Sequence, residues 1–522
     1  MRFSDILFSK LAALFLHKRY TFSAVFVAGS LAALSMAPYN IWFVLLLSLP
    51  VLYLSILHAP SSKIAGLYGW LFGFGYFVFS LSWIGNALLV EGNPYKWAWI
   101  LSVTGLPAIL ALFPACACLV SKHFMNMRSF WGWIGFISLY SLFEWLRGHL
   151  FTGFPWNLIG YTWAEHLAVI QVLRISDVYF LSWLSLLWLS LPVALAFTTP
   201  QQRITALCVA ALSFTLCFGF GLTHLKTEQD NNTNVSIKLV QPNIEQSQKW
   251  KRDKMSEHLA KHLSLSESAG NEQKPTLIIW PETALSFRMF ESPETIKNIK
   301  SMLSSYPLPA KLLTGMLRHD PVEGTYSNSL IMIDETGTLQ NIYNKHHLVP
   351  FGEYIPFQKW IPLAPVVQFK GFEAGQGLQT FSAFPNVHYS PLICYEIIFP
   401  GRSIGKPSSP MPDFIVNATN DAWYGKSAGP HQHFVKTLYR AIETGVPVIR
   451  SANTGFSAII SPTGEAQGKS ALFQESSKSL DLPLAKPIHS MVFNNKNVVV
   501  VLFLMFFTIL GIGFGRRITN CD

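Results

Sequence analysis

The chain has 522 residues, half of them hydrophobic and only 13% Asp, Glu, Lys or Arg, with a formal net charge of +10. A typical soluble domain carries about 25% charged residues, so a wholly soluble protein is excluded, and the length is more than one ordinary domain needs. The basic excess forms no stripe with interleaved aromatics, which argues against a nucleic-acid partner.

The charge deficit is local. Residues 1–225 hold sparse charges in short clusters between apolar runs, whereas 226–496 has Lys, Glu, Asp, Asn and Ser throughout. The expected organisation is an N-terminal transmembrane bundle over 1–225, a globular catalytic domain over 226–496, and a last helix with a short tail over 497–522. A helix needs about 20 apolar residues to cross the hydrocarbon core. Segment 20–62 is long enough for two spans broken at Pro38-Tyr39-Asn40, and 64–90, 97–121, 129–143, 178–202, 204–225 and 497–515 follow. The predicted α-helical bundle thus has about eight spans, about seven of them N-terminal. Arg2, Lys10, Lys18 and Arg19 precede the first apolar run. Further spans follow that run, so it reads as an uncleaved first helix rather than a signal peptide. Lys63, Lys122 with Arg128, Arg203, and Arg516 with Arg517 mark the same side, so both termini are expected in the cytoplasm. The globular part is then expected outside it.

Inside the bundle, Glu144 and Arg147 lie three residues apart on one helical face, just before the motif around Gly153-Phe154-Pro155-Trp156. An intramembrane ionisable pair is either functional or a structural lock. Gly69, Gly73 and Gly75 point to close helix packing.

Strand and helix patterns alternate in the globular part. Residues 235–240, 277–280, 311–316, 329–333, 392–394, 414–417, 446–451 and 457–460 read as strands, and 255–265 and 433–444 as helices. This is an α/β or α+β layered domain whose topology the periodicity leaves open. Of the six cysteines, Cys116, Cys118, Cys208 and Cys217 lie in apolar runs and Cys521 in the tail. Cys394 therefore has no disulfide partner within its own domain, and no zinc spacing occurs.

Three side chains follow or adjoin strand ends: Glu282 after LIIW, Lys345 in YNKHHLVPFGEY, and Cys394 in LICYE. A thiol nucleophile needs a base or a nearby cation, and a lysine can hold a developing oxyanion. Singly, each residue is weak evidence. A lone cysteine is usually an apolar filler and a lone Glu or Lys a solvated charge. His346, His347, His431 and His433 remain alternative bases for a Cys/His dyad.

In this order, WPET (280–283), YNKHHLVPFGEYIP (343–356) and ICYE (393–396) resemble the nitrilase, or carbon–nitrogen hydrolase, superfamily. QPNIEQSQKW (241–250), NATNDAWYG (417–425), RSANTGFSAII (450–460) and the bundle motifs FEWLRG and TGFPWN extend the likeness. With them the chain resembles, over nearly its whole length, the bacterial apolipoprotein N-acyltransferases, the membrane-bound branch of that superfamily. That resemblance implies a four-layer αββα sandwich with a Glu-Lys-Cys triad. It makes Glu282 the general base, Lys345 the oxyanion stabiliser, Cys394 the nucleophile and Glu353 an acidic support for the lysine. Trp250, Tyr395, Glu396 and Trp423 match positions around the lipid entrance and nucleophile, and Asn328 a further active-site asparagine. The two tryptophans have a plainer reading as core filler or interface anchors.

The resemblance further implies a ping-pong reaction at the bacterial inner membrane, with the catalytic domain on the periplasmic side. The sn-1 acyl chain of a phospholipid such as phosphatidylethanolamine passes through a Cys394 thioester to the α-amine of a diacylglyceryl-cysteine apolipoprotein. No metal or other cofactor is implied. The apolar stretch 356–377 is the candidate lid over the thioester, or else a static docked loop. The rival readings are a membrane-tethered amidase or nitrilase-type hydrolase, and a non-catalytic transporter or receptor.

Overall fold

The computed structural model describes residues 18–91, 93, 95–226, 232–356, 371–405, 410–486 and 490–517. Contacts divide the chain into two compact units. One comprises Met1–Gly85, Ile100–Thr227 and Asn494–Asp522; the other comprises Asn86–Trp99 and Glu228–Phe493. The second unit thus takes in a short piece of the apolar half of the sequence. There the Asn86 side-chain amide donates to the Tyr424 carbonyl at 2.7 Å.

The first unit is helical. Ser62–Leu89, Lys96–Phe124, Pro200–Lys226 and Lys496–Phe514 are long and apolar enough to cross a membrane. Val178–Leu189 and Leu191–Phe197 make a fifth span if the pair, bent by 45°, counts as one. Tyr20–Ser35 and Trp42–His58 are apolar but shorter. By this measure the described residues give four or five spans, and the expected eight are not reached. The shortfall falls where the apolar runs are interrupted. The first run breaks around Pro38, which has no N–H to continue a helix, and Phe130–His149 carries Glu144 and Arg147.

Gly69 and Gly73 do mark close packing: a Cβ there would lie 2.5 Å from the Pro114 carbonyl oxygen or ring. At Gly75 it would lie 2.5 Å from the Phe26 carbonyl oxygen on another helix. Glu144 and Arg147 act as a lock. The Arg147 guanidinium donates to the carbonyls of Phe154 at 2.8 Å and Trp156 at 2.7 Å and lies over the Phe77 ring. Glu144 Oε1 accepts from the Ile159 N–H at 3.0 Å and sits 3.9 Å from Arg147. Non-helical backbone inside a bundle needs its polar groups satisfied by protein. This pair does that for 154–159.

The second unit contains thirteen strands among its described residues. They are β1 (Asn232–Gln241), β2 (Thr276–Ile279), β3 (Leu285–Ser286), β4 (Ala310–Asp320), β5 (Thr325–Ile333), β6 (Leu339–Asn344), β7 (Phe381–Phe384), β8 (Val387–Ile393), β9 (Phe414–Thr419), β10 (Val448–Ala452), β11 (Ala458–Ile460), β12 (Ala466–Gln467) and β13 (Ser476–Pro483). One sheet runs β13-β1-β2-β4-β5-β6, with β3 on β4, and the other β12-β11-β10-β9-β8-β7. The centre of each is parallel: β1, β2 and β4 in the first, β8, β9 and β10 in the second.

Successive strand residues face opposite sides of a sheet, and the layering follows. Ile237, Leu277 and Ile279 meet Ile393, Val416 and Ile449 in the core between the sheets. Ile278 and Leu312 point the other way, onto Leu259 of helix Met255–Leu265 and Ile299 and Leu303 of helix Pro293–Ser304. Helix Ala428–Thr444 packs on β10 and β11 of the second sheet. The order is helix, sheet, sheet, helix, a nitrilase-like α/β domain.

Candidate active site

The C-terminal ends of parallel strands are where α/β folds place ligands, because the loops there are free to carry side chains into a crevice. Here such ends from both sheets meet. Glu282 follows β2, Cys394 follows β8 and Asn420 follows β9, while Lys345 follows the antiparallel β6 and Asn328 lies within β5. The turn carrying Glu282 needs a glycine opposite it. A Cβ at Gly315 of β4 would lie 2.4 Å from both the Pro281 carbonyl oxygen and the Thr283 nitrogen.

Glu282, Lys345, Glu353, Asn328 and Cys394 are all buried. Lys345 Nζ donates to Glu353 Oε1 at 2.7 Å and lies 3.8 Å from Glu282 Oε1. Asn328 Nδ2 donates to Glu282 Oε1 at 2.7 Å and reaches Glu353 Oε1 at 3.4 Å. The Asn420 N–H holds Glu282 Oε2 at 2.8 Å, and the Val349 N–H holds Glu353 Oε2 at 2.8 Å. Both carboxylates are therefore fixed in orientation, with one cation between them.

The electrostatics follow from burial and these partners. Burial lowers the Lys345 pKa, but Glu353, Glu282 and Cys394 more than offset it and raise it above the ordinary value. Burial raises the Glu353 pKa, with Lys345 pulling it back and Glu282 adding to the rise. Burial, with the charges of Glu282 and Asp421, pushes the Cys394 thiol up to about 12 against the pull of Lys345 and a Thr419 hydrogen bond. The resting residue is a thiol, so the chemistry available is proton removal during attack rather than storage of a thiolate.

Cys394 has φ +52°, a left-handed backbone that costs a β-carbon-bearing residue about 1 kcal/mol or more. What holds it there is a buried network that sequence reading did not find. The Cys394 carbonyl accepts from Asn417 Nδ2 at 3.3 Å and lies 3.2 Å from His433 Nε2. His433 Nδ1 lies 2.9 Å from Asp421 Oδ1, and Arg450 pairs with Asp421 Oδ2 at 2.6 Å and with Asn417. His433 thus faces the main chain of Cys394. The other three candidate bases are engaged elsewhere: His346 with Glu396 at 2.6 Å, His347 against Phe399, and His431 against Phe456.

Of the remaining matched positions, Glu396 is a brace. Its carboxylate accepts from the N–H groups of His346, His347 and Ile393 at 2.8, 3.1 and 2.7 Å and from the Tyr343 hydroxyl at 3.0 Å. It thereby ties the Lys345 loop to the Cys394 turn. Tyr395 is buried edge-on to Phe399. Trp250 and Trp423 are half-buried, Trp250 beside Glu282 in a cleft described below and Trp423 in the turn Asp421–Tyr424. Most of the lid candidate, 357–370, lies outside the described residues.

Buried Glu, Lys and Cys stand at the strand ends of two stacked sheets, and residues 237–488 match the carbon–nitrogen hydrolase family. Among solved structures the chain is similar to an amidase of Nesterenkonia from the nitrilase superfamily, with 14% identity and a TM-score of 0.37 over 52% of this chain and 98% of that one. Residues 28–191 match the apolipoprotein N-acyltransferase N-terminal domain. An apolipoprotein N-acyltransferase of Brucella melitensis is 36% identical over 86% of this chain and 87% of its own. One of Rhodopseudomonas palustris is 34% identical over 93% and 94%. The chain belongs to the apolipoprotein N-acyltransferase family and is an acyltransferase.

Proposed function

We propose that the chain transfers the sn-1 acyl group of a membrane phospholipid, such as phosphatidylethanolamine, to the α-amino group of an apolipoprotein's N-terminal diacylglyceryl-cysteine. The observation that carries this reading is the fixed Glu282 carboxylate, held at both oxygens beside Lys345 and the buried Cys394.

In the first half-reaction the Cys394 sulfur attacks the ester carbonyl and its proton passes to Glu282. Lys345 faces the developing oxyanion. The C–O bond then breaks, Glu282 returns the proton to the departing lysophospholipid oxygen, and the acyl group remains as a thioester. In the second, the neutral amine attacks the thioester carbon. The C–S bond breaks, and the amine proton passes through Glu282 to the Cys394 sulfur. Atoms and protons balance in each half. Glu353 keeps Lys345 charged and placed, and Trp250, Tyr395 and Trp423 line the approach.

Both substrates are lipids that leave a bilayer at about 0.8 kcal/mol per CH₂, so the catalyst belongs at the membrane surface. The reading puts eight crossings in the chain and residues 226–496 on the periplasmic face of the inner membrane. Both termini and the basic clusters from Arg2 to Arg517 then lie in the cytoplasm.

The test uses the full chain in detergent with phospholipid and a diacylglyceryl-cysteine peptide. N-acylated peptide and lysophospholipid are expected in equal amounts. Free fatty acid with unmodified peptide would instead make the chain a hydrolase.

A further inference from the structure

Two lysines flank Glu282, and only one has an acid partner. Lys345 is paired with two carboxylates. Lys249 is buried to 8% exposure, and its Nζ donates to the main-chain carbonyl of Glu282 at 2.9 Å. Among the described residues no carboxylate oxygen lies within 4.0 Å of it. A buried cation without an anion is costly, and such charges are ordinarily paired. Burial has pulled its pKa down to about 8 against the attraction of Glu282 and Cys394.

Lys249 lies on the wall of a cleft that also has Trp250, His258, His262 and Glu282 on its walls. The proposed general base thus forms one side of this cleft. His262 adds a second unfilled function. Its Nδ1 faces the His258 carbonyl at 2.7 Å and so carries the ring proton of the neutral imidazole. Its Nε2 is then an acceptor, buried and without a partner among the described residues. The cleft offers one ammonium donor and one neutral acceptor.

We propose that this cleft is the head subsite for the acyl donor, in which Lys249 takes the phosphate of a phosphodiester lipid while His262 Nε2 accepts from an N–H or O–H of the same head. A cation there favours the phosphate of the donor head over the ammonium form of the acceptor, so the subsite serves the first half-reaction. The inference rests on the donor proposed above and names how its head is held.

The test measures Cys394 acylation by intact mass from two donors, a diacyl phosphodiester lipid and the corresponding diacylglycerol, which lacks phosphate. The full chain is compared with Lys249→Gln and Lys249→Arg. The expected preference of the wild type for the phosphodiester falls about tenfold or more in Lys249→Gln, through KM, and is largely kept in Lys249→Arg. Inorganic phosphate at millimolar concentration should compete feebly, because it lacks the tethered acyl chains. The preference surviving in Lys249→Gln, with both donors slowed equally, would mean that Lys249 only props the Glu282 carbonyl and overturns the proposal. Strong competition by inorganic phosphate together with an unchanged donor preference would make this a free-anion site and also overturns it. Absence of any adduct in the wild type with either donor is the separate failure of the thioester reading.

Discussion

Glu282→Gln leaves the chain folded and lowers the rate of Cys394 acylation by about a thousandfold, within the usual span for loss of a general base. Burial, with the charge of Glu282 beside it, holds the Cys394 thiol well above its ordinary pKa, so thiolate is scarce at pH 7. Attack must therefore be coupled to proton removal, and Glu282 is the carboxylate that both sheets converge on. Glutamine keeps the shape but not the basicity. One of its ends must also turn an NH₂ toward a donor, since Asn328 Nδ2 and the Asn420 N–H occupy the two oxygen positions. That clash costs about 1–2 kcal/mol of stability, small enough for a folded protein. Single-turnover acylation together with a melting curve checks both parts. A loss of less than tenfold with unchanged melting would remove Glu282 from the role of base.

Lys345→Met has the second large effect, and it strikes stability as well as rate. Among the described residues Lys345 is the one cation within salt-bridge distance of both Glu282 and Glu353. Removing one partner of a buried ion pair typically costs about 3–5 kcal/mol, because the remaining charge is stranded. Here two carboxylates would be left facing each other, bridged only by Asn328, and one would take up a proton. If that proton rests on Glu282, the base is lost along with the oxyanion partner, and acylation should fall at least about a hundredfold. Adding Glu353→Gln to Lys345→Met should recover part of the stability and none of the activity. Denaturant unfolding and acylation rates on the two single variants and the double variant give this cycle. Equal stability of Lys345→Met and the wild type would contradict the geometry.

Much of this was legible in the residues, for reasons that can be named. The strands that carry chemistry are short apolar runs ending in polar motifs, such as LIIW before Pro281-Glu282 and LI before Cys394. The helix expected at 255–265 is observed as Met255–Leu265. β13 was not legible, because SSKSLDLP is polar and becomes a strand only by pairing antiparallel with β1. Helix Pro293–Ser304 was passed over although apolar residues recur at helical spacing in it, a signal that could have found it. In the helical unit, four or five of the expected eight spans are long and apolar enough among the described residues, because breaks near Pro38 and at Ser190 divide the runs.

The site shows the same division. Glu282, Lys345 and Cys394 stand in motifs, so residue type and order pointed to them. Lys249 stands next to Trp250 in one of those motifs, yet a lysine reads as a solvated charge until the fold buries it. Asp421, His433 and Arg450 are far apart in sequence, and only the second sheet and its helix assemble them behind Cys394. Glu396 was assigned to the lipid entrance and the nucleophile by motif. Its hydrogen bonds make it the brace between the Lys345 loop and the Cys394 turn, a role no spacing encodes.

The most direct measurement is intact-protein mass spectrometry after incubating the full chain with phospholipid in detergent, on the wild type and on Cys394→Ala. A single acyl-sized mass gain is expected on the wild type and none on Cys394→Ala. That gain should disappear when a diacylglyceryl-cysteine peptide is added and becomes acylated. Folded wild type that acylates the peptide without ever carrying the adduct, or an adduct of equal yield on Cys394→Ala, would contradict the assignment of Cys394 as the acyl carrier.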